Sequence, residues 1–482
     1  MDIRTSCSPT DRESLHARVC RCVDEFLDAC GKCKADLHGV ETEHRRAMAQ
    51  IGKVLNEAGV NDAMAEPLAW HCPECGQFLG YHDTQEKEVI LASGQVQLKE
   101  GRYRCSQCGK DYRPVSILND LEHTGYSLGA REKVVATATE RAFVPTSEAV
   151  RPPVVVSAKK VEKLVAEAAG WLRQEHKDGV ACYLGDRERP GPLKTGRPGW
   201  LVTQWKDRPL PEGAVPTISV DGGKVRGKEK DAEGKLKWFE GRAATFSITV
   251  GGEELPAAES GGKIYLAGKL NADEVFELMA ATHAALPARV RALPTSLVAD
   301  DGPWWDRTRE YFPNAVQTLD LYHAGDVLSR TAGLCFREET GKPKLWRQHA
   351  REWLQEEGKQ EAMIAELRGA LPEAAGRLNE KEHHEAELGI AYLERNAPRM
   401  RYWEFKKKGL PIGSGVGESG VKQTMIARCR QAGMMWREDH ADDIMRLRGT
   451  ALSHELPSLF RRRREACLAR ARELNEKLEL AA

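Results

Sequence analysis

Two short phrases, Cys72-Pro-Glu-Cys75-Gly and Cys105-Ser-Gln-Cys108-Gly, constrain the fold of this chain more than any other feature in it. Each sets two thiols three positions apart ahead of a glycine, so each can offer two thiolates to one ion. Four thiolates complete the tetrahedral shell that zinc takes. The 29 residues between Cys75 and Cys105 include EVILASGQVQLKEGRYRC, which reads as strands separated by Ser93-Gly94 and Glu100-Gly101. A hairpin of that kind can carry the second pair back beside the first. Cys72, Cys75, Cys105 and Cys108 are therefore expected to hold a structural Zn²⁺ in a zinc ribbon over residues 67–120. The chain has 13 cysteines, an odd number at irregular spacing, which reads as reduced thiols plus metal ligands rather than a disulfide framework. Cys30-Gly-Lys-Cys33 has no partner pair and reads as incidental.

At 482 residues the chain is too long for a single core and is expected to divide into several domains. No run of 18 or more apolar residues occurs, and the polar start MDIRTSCSPTDRESL lacks the apolar centre of a signal peptide. The expectation is a soluble cytoplasmic protein with no membrane partner. Residues 1–66 are charged and helical in rhythm: Val19, Val23, Phe26, Leu27 and Cys30 recur at three- and four-residue steps, with a second set through Met48, Ile51 and Leu55. Their role is not legible. Residues 121–184 return to helix, where Ser157 can cap a helix with the apolar face Val161, Leu164, Val165, Ala168 and Leu172. With Leu128–Phe143 this reads as a helix-turn-helix or as a plain helical hairpin. A Pro-, Gly- and Arg-rich linker occupies 185–214.

From 215 to 450 strands and helices alternate, which argues for a multidomain α/β protein with a mixed sheet in its last large domain. Between about 324 and 410 the chain becomes almost wholly helical and charged, as an all-helical insertion would. A basic helical tail, with Arg461–Arg464 unbroken, closes the chain over 451–482.

Three acidic phrases are spread through this region: ISVDGG at Asp221, LVADDGPWW at Asp301 and PIGSGVGES at Glu418, at intervals of 80 and 117 residues. The first two place a carboxylate directly after a buried apolar run, where open α/β sheets bind ligands. Each also reads as an Asp-Gly turn. Asp301 is preferred to Asp300 because its Asp-Gly pair marks where the strand stops. Glu418 follows a glycine loop and opens a helix running through KQTMIARCRQAGMMW, where it would also suit the helix dipole with no other role. Three converging carboxylates would repel by roughly 4 kcal/mol per pair at 4 Å and an effective dielectric near 20, so a fold that gathers them supplies divalent cations. Lys422, Arg428 and Arg430 on the same helix give a basic surface suited to phosphates. Thr318-Leu-Asp320-Leu-Tyr-His323 puts Asp320 at a strand end and His323 on the next helix. Trp304, Trp305 and Trp436 read as stacking platforms or as packing.

Taken in order, VDGG, ADDGPWW, FPNAVQTLDLYHA, PIGSGVGES and GMMW, together with the CPECG and CSQCGKDYRPVS knuckles, resemble the ISKra-type transposases of bacterial insertion sequences. The resemblance covers roughly Pro67 to Arg448. It implies a DDE enzyme with an RNase H-like catalytic domain, in which Asp221, Asp301 and Glu418 form the catalytic triad and hold Mg²⁺ (or Mn²⁺). It also implies that Asp320 and His323 match an acidic-x-x-His phrase supporting that centre. The expected activity is strand cleavage and strand transfer on double-stranded DNA, at element ends and target, by two-metal phosphoryl transfer. The expected state is a homo-oligomer on DNA at the bacterial nucleoid. A transposase-derived DNA-binding protein without activity, and an RNase H-like nuclease without strand transfer, are the alternatives. Residues 1–60 and 144–157 depart from the pattern.

Overall fold

The computed structural model describes residues 9–33, 36–63, 70–151, 153–188, 205, 209–300, 304–337, 339, 341–413, 415 and 420–475. Asp301 and Glu418 lie outside the described residues, as does most of the 185–214 linker. Among the described residues no helix is long and apolar enough to cross a membrane. The chain forms two compact units, Met1–Trp171 with Leu456–Ala482, and Leu172–Glu455.

The first unit begins with two long helices, α1 (Pro9–Lys32) and α2 (Leu37–Ala63), packed on each other. Strands β1 (Leu79–Leu91) and β2 (Gly94–Cys105) form a long antiparallel hairpin that β3 (Asp111–Tyr112) extends. The expected turn at Ser93-Gly94 is present, with Gly94 at φ 137°. The expected break at Glu100-Gly101 is absent: β2 runs straight through. Glu100 is buried there, and its carboxylate accepts hydrogen bonds from the Ser116 backbone N–H (3.0 Å) and hydroxyl (2.7 Å). That tertiary partner holds in a strand a dipeptide whose local chemistry favours a turn.

Short α3 (Pro114–Leu118) is followed by α4 (Leu128–Glu140), capped by Ser127, then α5 (Phe143–Ala149) and α6 (Ala158–Glu188). Ser157 accepts from the Lys160 N–H at 3.3 Å, and Val161, Leu164, Val165, Ala168 and Leu172 are all buried, as their spacing predicts. The connection from α4 to α6 is itself a seven-residue helix rather than a tight turn. The helix Leu456–Leu474 belongs to this first unit and packs on α3 and α4. Part of its arginine run is structural: Arg463 pairs with Asp120 and lies over the Trp171 ring.

The second unit is built on a mixed sheet. Strands β4 (Ala214–Lys230) and β5 (Leu236–Val250) pair antiparallel, β6 (Glu253–Glu254) and β7 (Ile264–Gly268) both pair antiparallel with β5, and β8 (Ser296–Ala299) and β9 (Val316–Leu319) add in parallel beside β4. Between these strands lie α7 (Ala257–Ser260), α8 (Ala272–Ala285), α9 (Ala288–Arg291) and α10 (Trp304–Tyr311). Helix α8 starts on a capping box, in which the Asn271 side chain accepts from Glu274 N–H and the Glu274 carboxylate from Asn271 N–H. Its Phe276 and Met279 share one buried cluster with Ile218, Phe246, Leu297 and Leu319.

After β9 the chain is helical from α11 (Leu321–Cys335) through α12 (Lys342–Trp353), α13 (Lys359–Ala375), α14 (Glu380–Asn396) and α15 (Tyr402–Lys407). This is the helical stretch that its composition predicts. A π-helical turn Lys422–Ile426 then runs into one α-helical turn Ala427–Cys429, and α16 (Glu438–Leu452) packs against β7. The helix expected to run through Trp436 stops at Cys429. Trp436 instead takes a strand-like place beside β4: its N–H donates to the Arg226 carbonyl (3.0 Å), and its carbonyl accepts from Lys228 N–H (2.9 Å).

Candidate functional site

Two places in the molecule carry chemistry. In the first, the two cysteine knuckles are near-copies of each other. Gly76 N–H donates to the Cys72 carbonyl and Gly109 N–H to the Cys105 carbonyl, both at 2.9 Å, and the two glycines sit at φ 70° and 69°. A left-handed residue is what closes so tight a turn, which explains the glycine after each second cysteine. The hairpin register sets Leu79, the first residue of β1, opposite Cys105, the last of β2, so the two knuckles lie at the same end of the hairpin. The four Sγ atoms all lie within 4.8 Å of one another. Cys72 and Cys108 are 4.0 Å apart and Cys75 and Cys105 3.5 Å. Tetrahedral zinc with bonds of about 2.3 Å sets sulfurs about 3.8 Å apart, so the cage fits that ion.

The electrostatics agree with the geometry. Burial opposes ionisation of Cys72, but hydrogen bonds from the Tyr112 hydroxyl and the Glu74 and Cys75 backbone N–H groups outweigh it and bring that thiol down to about 6. Its neighbour Cys108 is pushed up to about 12, first by its hydrogen bond with Cys75 and then by burial. Four crowded sulfurs thus resist sharing negative charge until a cation neutralises them. Among the described residues this is the one such group of His, Cys, Asp or Glu ligands. The group can bind a metal such as zinc.

The second place is the end of the mixed sheet. Val220 pairs with Ala299, and Ala299 with Leu319, across three adjacent parallel strands. The next residue on each is Asp221, Asp300 and Asp320, so three aspartates stand side by side at one level of the sheet. Asp221 does not end its strand as its Asp-Gly-Gly phrase suggests. β4 continues to Lys230 against β5, with Gly222 opposite Arg242 and Gly223 opposite Gly241. What ends at this level is the parallel neighbour β8, and β4 there passes from fully buried to alternating burial. The glycines serve close approach instead of a turn. A Cβ on Gly222 would stand 2.8 Å from Glu240 Oε1, and one on Gly223 2.9 Å from Val421 Cγ1.

Each aspartate has a distinct setting. Asp221 Oδ1 accepts from the Gly222 N–H at 2.6 Å. Asp320 is buried and caps α11, its Oδ1 accepting from the His323 N–H at 2.7 Å. Asp300 is half-buried, with Oδ2 3.7 Å from His323 Nδ1. His323 therefore touches Asp320 through its backbone and Asp300 through its ring. The stretches flanking the Glu418 phrase come to the same end of the sheet. The Ile412 carbonyl accepts from Leu321 N–H at 3.0 Å, and a Cβ on Gly413 would lie 3.8 Å from Asp320 Oδ2. On the other flank Gly420 abuts Thr245 and Val421 abuts Gly223.

Beside Asp221 opens a cavity of about 650 Å³, walled by Lys224, Trp238, Ile426 and Arg430. Arg430 is exposed, with its guanidinium 5.7 Å from the Trp238 ring centre, and Trp238 is half-exposed. Lys422 is also exposed. Arg428 is not: its side chain is buried over the Trp436 ring at 4.9 Å, and burial lowers it to about 10. It is a core cation rather than a surface one, because its helix ends at Cys429 and Trp436 folds back over it. Trp304, Trp305 and Trp436 are buried and serve packing. Trp238 is a site residue that the sequence does not single out, because its place opposite Arg226 depends on the β4–β5 register. No protein-family model matches the chain, and no curated protein matches it.

Proposed function

We propose that the protein is a DDE transposase whose catalytic domain is the mixed-sheet unit. The observation that carries the reading is the alignment of Asp221, Asp300 and Asp320 across adjacent strands, with both flanks of the Glu418 phrase beside them. The sheet supports the RNase H-like expectation: three antiparallel strands, β7, β5 and β4, are followed by two parallel ones, β8 and β9, with Asp300 and Asp320 directly after β8 and β9, Asp221 level with them in β4, and a helical stretch before the third acidic phrase. The phrases that resemble ISKra-type transposases give the role of each residue. Asp221, Asp301 and Glu418 would hold Mg²⁺, a cation that takes carboxylate oxygens and keeps open positions for phosphate. The missing Cβ of Gly223 lets Val421, on the far side of the Glu418 phrase, pack directly on the strand beside Asp221. Bound Mg²⁺ supplies activation of water and charge stabilisation at the leaving oxygen.

The protein's own residues prepare the substrate. Arg430 and Lys224 line the cavity beside Asp221 and offer cations to phosphates there, Lys422 adds an exposed cation on the turn that follows Val421, and Trp238 offers a ring face to a base or sugar. Asp320 fixes the start of α11 and so places His323 against Asp300. Zinc on the four thiols would brace the ribbon that carries part of the DNA contact. Double-stranded DNA is the substrate this reading requires, bound by a homo-oligomer that bridges two ends.

The test is strand cleavage at the terminal repeats of the flanking element, with Mg²⁺, by the intact protein and by Asp221→Asn. Loss of cleavage with DNA binding retained is expected. Unchanged cleavage sinks the triad. Cut ends that never join a target plasmid favour a nuclease, and DNA binding without cleavage by the intact protein favours a DNA-binding relic.

A further inference from the structure

We propose that one face of α2, with the tip of the β1–β2 hairpin, is a second DNA contact that grips the phosphate backbone of a duplex outside the catalytic unit. It rests on the DNA-processing reading above and gives a task to a region whose sequence suggests none. A groove of about 650 Å³ runs along α2 and is closed by Gly94, Gln95 and Pro153. Its cationic side chains are Arg45, Arg46 and Lys53, with His38 at one end, and none of the described residues that line it is acidic. Glu41, Glu43 and Glu57 of the same helix do not line the groove. Arg46 and Lys53 reach Glu43 and Glu57 only at 3.9 Å, with 72% and 53% of their side chains exposed, so neither cation is committed to a partner.

The groove is a built feature of the first unit. Gly52 faces the hairpin turn, where a Cβ would be 3.6 Å from the Ser93 carbonyl, and the Asn56 amide bonds the Ser93 hydroxyl. These contacts seat α2 on the hairpin tip and turn the basic face along the groove.

The chemistry selects the ligand. From Arg45 to Lys53 the cations span about 12 Å of helix axis, against a phosphate about every 3.4 Å of duplex axis on each strand, so about three phosphates come within reach. Among the described residues no Trp, Tyr or Phe lines the groove. A single strand would present unstacked bases and call for aromatic platforms, whereas a duplex presents phosphates alone. The observations thus favour duplex backbone, read without sequence.

The experiment measures binding of a duplex and of its single strand to the full-length protein by fluorescence anisotropy, without divalent metal, across a salt series. The variant is Arg45→Gln, Arg46→Gln and Lys53→Gln combined. Removing three phosphate contacts should flatten the slope of log K against log salt by about 2.7, and weaken duplex binding at about 0.1 M salt roughly 500-fold. Arg45→Lys with Arg46→Lys keeps the charge and should keep the slope; if it loses it too, the groove acts through shape and the proposal falls. An unaltered melting temperature for the Gln variant excludes misfolding. An unchanged slope, or a single strand bound as tightly as the duplex, overturns the proposal. Cleavage that survives Asp221→Asn would instead sink the catalytic reading and leave the groove result standing.

Discussion

Acidification should strip zinc from the knuckles with a steepness set by the thiols themselves. Zinc binds thiolates, so every sulfur still protonated in the metal-free protein must release a proton on binding. At about pH 7 Cys72, at about 6, is already mostly ionised. Cys108, at about 12, is not. Nor is Cys75: hydrogen bonds from the Gln77 backbone N–H and from Cys108 favour its thiolate, but burial and the Cys105 and Cys72 sulfurs together raise it above the ordinary thiol range. Uptake at about pH 7 must therefore release at least two protons, from Cys75 and Cys108. The apparent affinity should rise about 100-fold per pH unit near neutrality, and more steeply below about pH 6, where Cys72 also protonates. The sign is fixed: acid favours the free thiols, and base favours the metal. Titration calorimetry in two buffers of different ionisation enthalpy counts the protons, and competition with a chelator gives the slope. Removal of the ion should also melt the hairpin base, because structural zinc contributes about 10–16 kcal/mol in small zinc modules. The apolar cluster around it, Trp70, Leu79 and Ile117, is small. Fewer than two protons per zinc, or Cys105→Ser binding zinc as tightly as the intact protein, would refute the four-thiolate site.

Asp120 should be a strong point of the first unit: it pairs with Arg131 at 2.9 Å and with Arg463 at 2.6 Å, and Arg131 is almost wholly buried. Asp120→Asn, chosen because Asn tolerates the left-handed φ of 55° found there, should cost about 3 kcal/mol in urea unfolding by leaving Glu167 as the one carboxylate paired with Arg131 among the described residues. Burial opposes ionisation of the Asp120 carboxyl, but Arg463 and Arg131 hold it below the usual carboxylate range, so this stability is present above about pH 4 and is lost as pH falls through the lowered value. In the second unit Gly223→Ala should lose about 1–3 kcal/mol, since its Cβ meets Val421 at 2.9 Å, whereas Gly333→Ala within α11, with nothing inside 4 Å, should gain about 0.5–1 kcal/mol; thermal melts of the two variants that moved in the same direction would contradict the close packing at the acidic strand ends.

How much of this was legible in the chain depended on the range of the forces involved. The knuckles were readable because their geometry is local: Cys, two spacers, Cys and a left-handed glycine define the turn without help from elsewhere. The α6 face was readable because burial repeats with the helix, from Val161 to Leu172. Glu100-Gly101 was misread as a turn because the partner that holds it in a strand, Ser116, lies beyond any local window. The same holds for the arginine run of the last helix. Arg463 reads as solvated charge until Asp120, 343 residues earlier, is set beside it. Arg428 looked like a phosphate contact for the same reason, since only the fold places Trp436 over it.

The acidic centre was legible as chemistry before it was legible as geometry. A buried β-branched run ending in aspartate occurs at Val220-Asp221 and again at Ala299-Asp300, and Leu319-Asp320 repeats the theme, but sequence carries no register. Register is what aligns them: parallel pairing of Val220, Ala299 and Leu319 brings three carboxylate-bearing residues to one level by backbone hydrogen bonding alone. Successive residues of an extended chain point to opposite faces, so Asp300 and the residue after it cannot serve the same side while the chain stays extended. Asp300 already lies against His323, which Asp320 holds at the start of α11. In the proposed enzyme this divides the labour. Asp300, His323 and Asp320 brace the ends of β8 and β9 against one another, and Asp221 stands level with them on β4. Register, which no local stretch of sequence carries, is thus what sets Asp221 beside the brace that Asp300, His323 and Asp320 form.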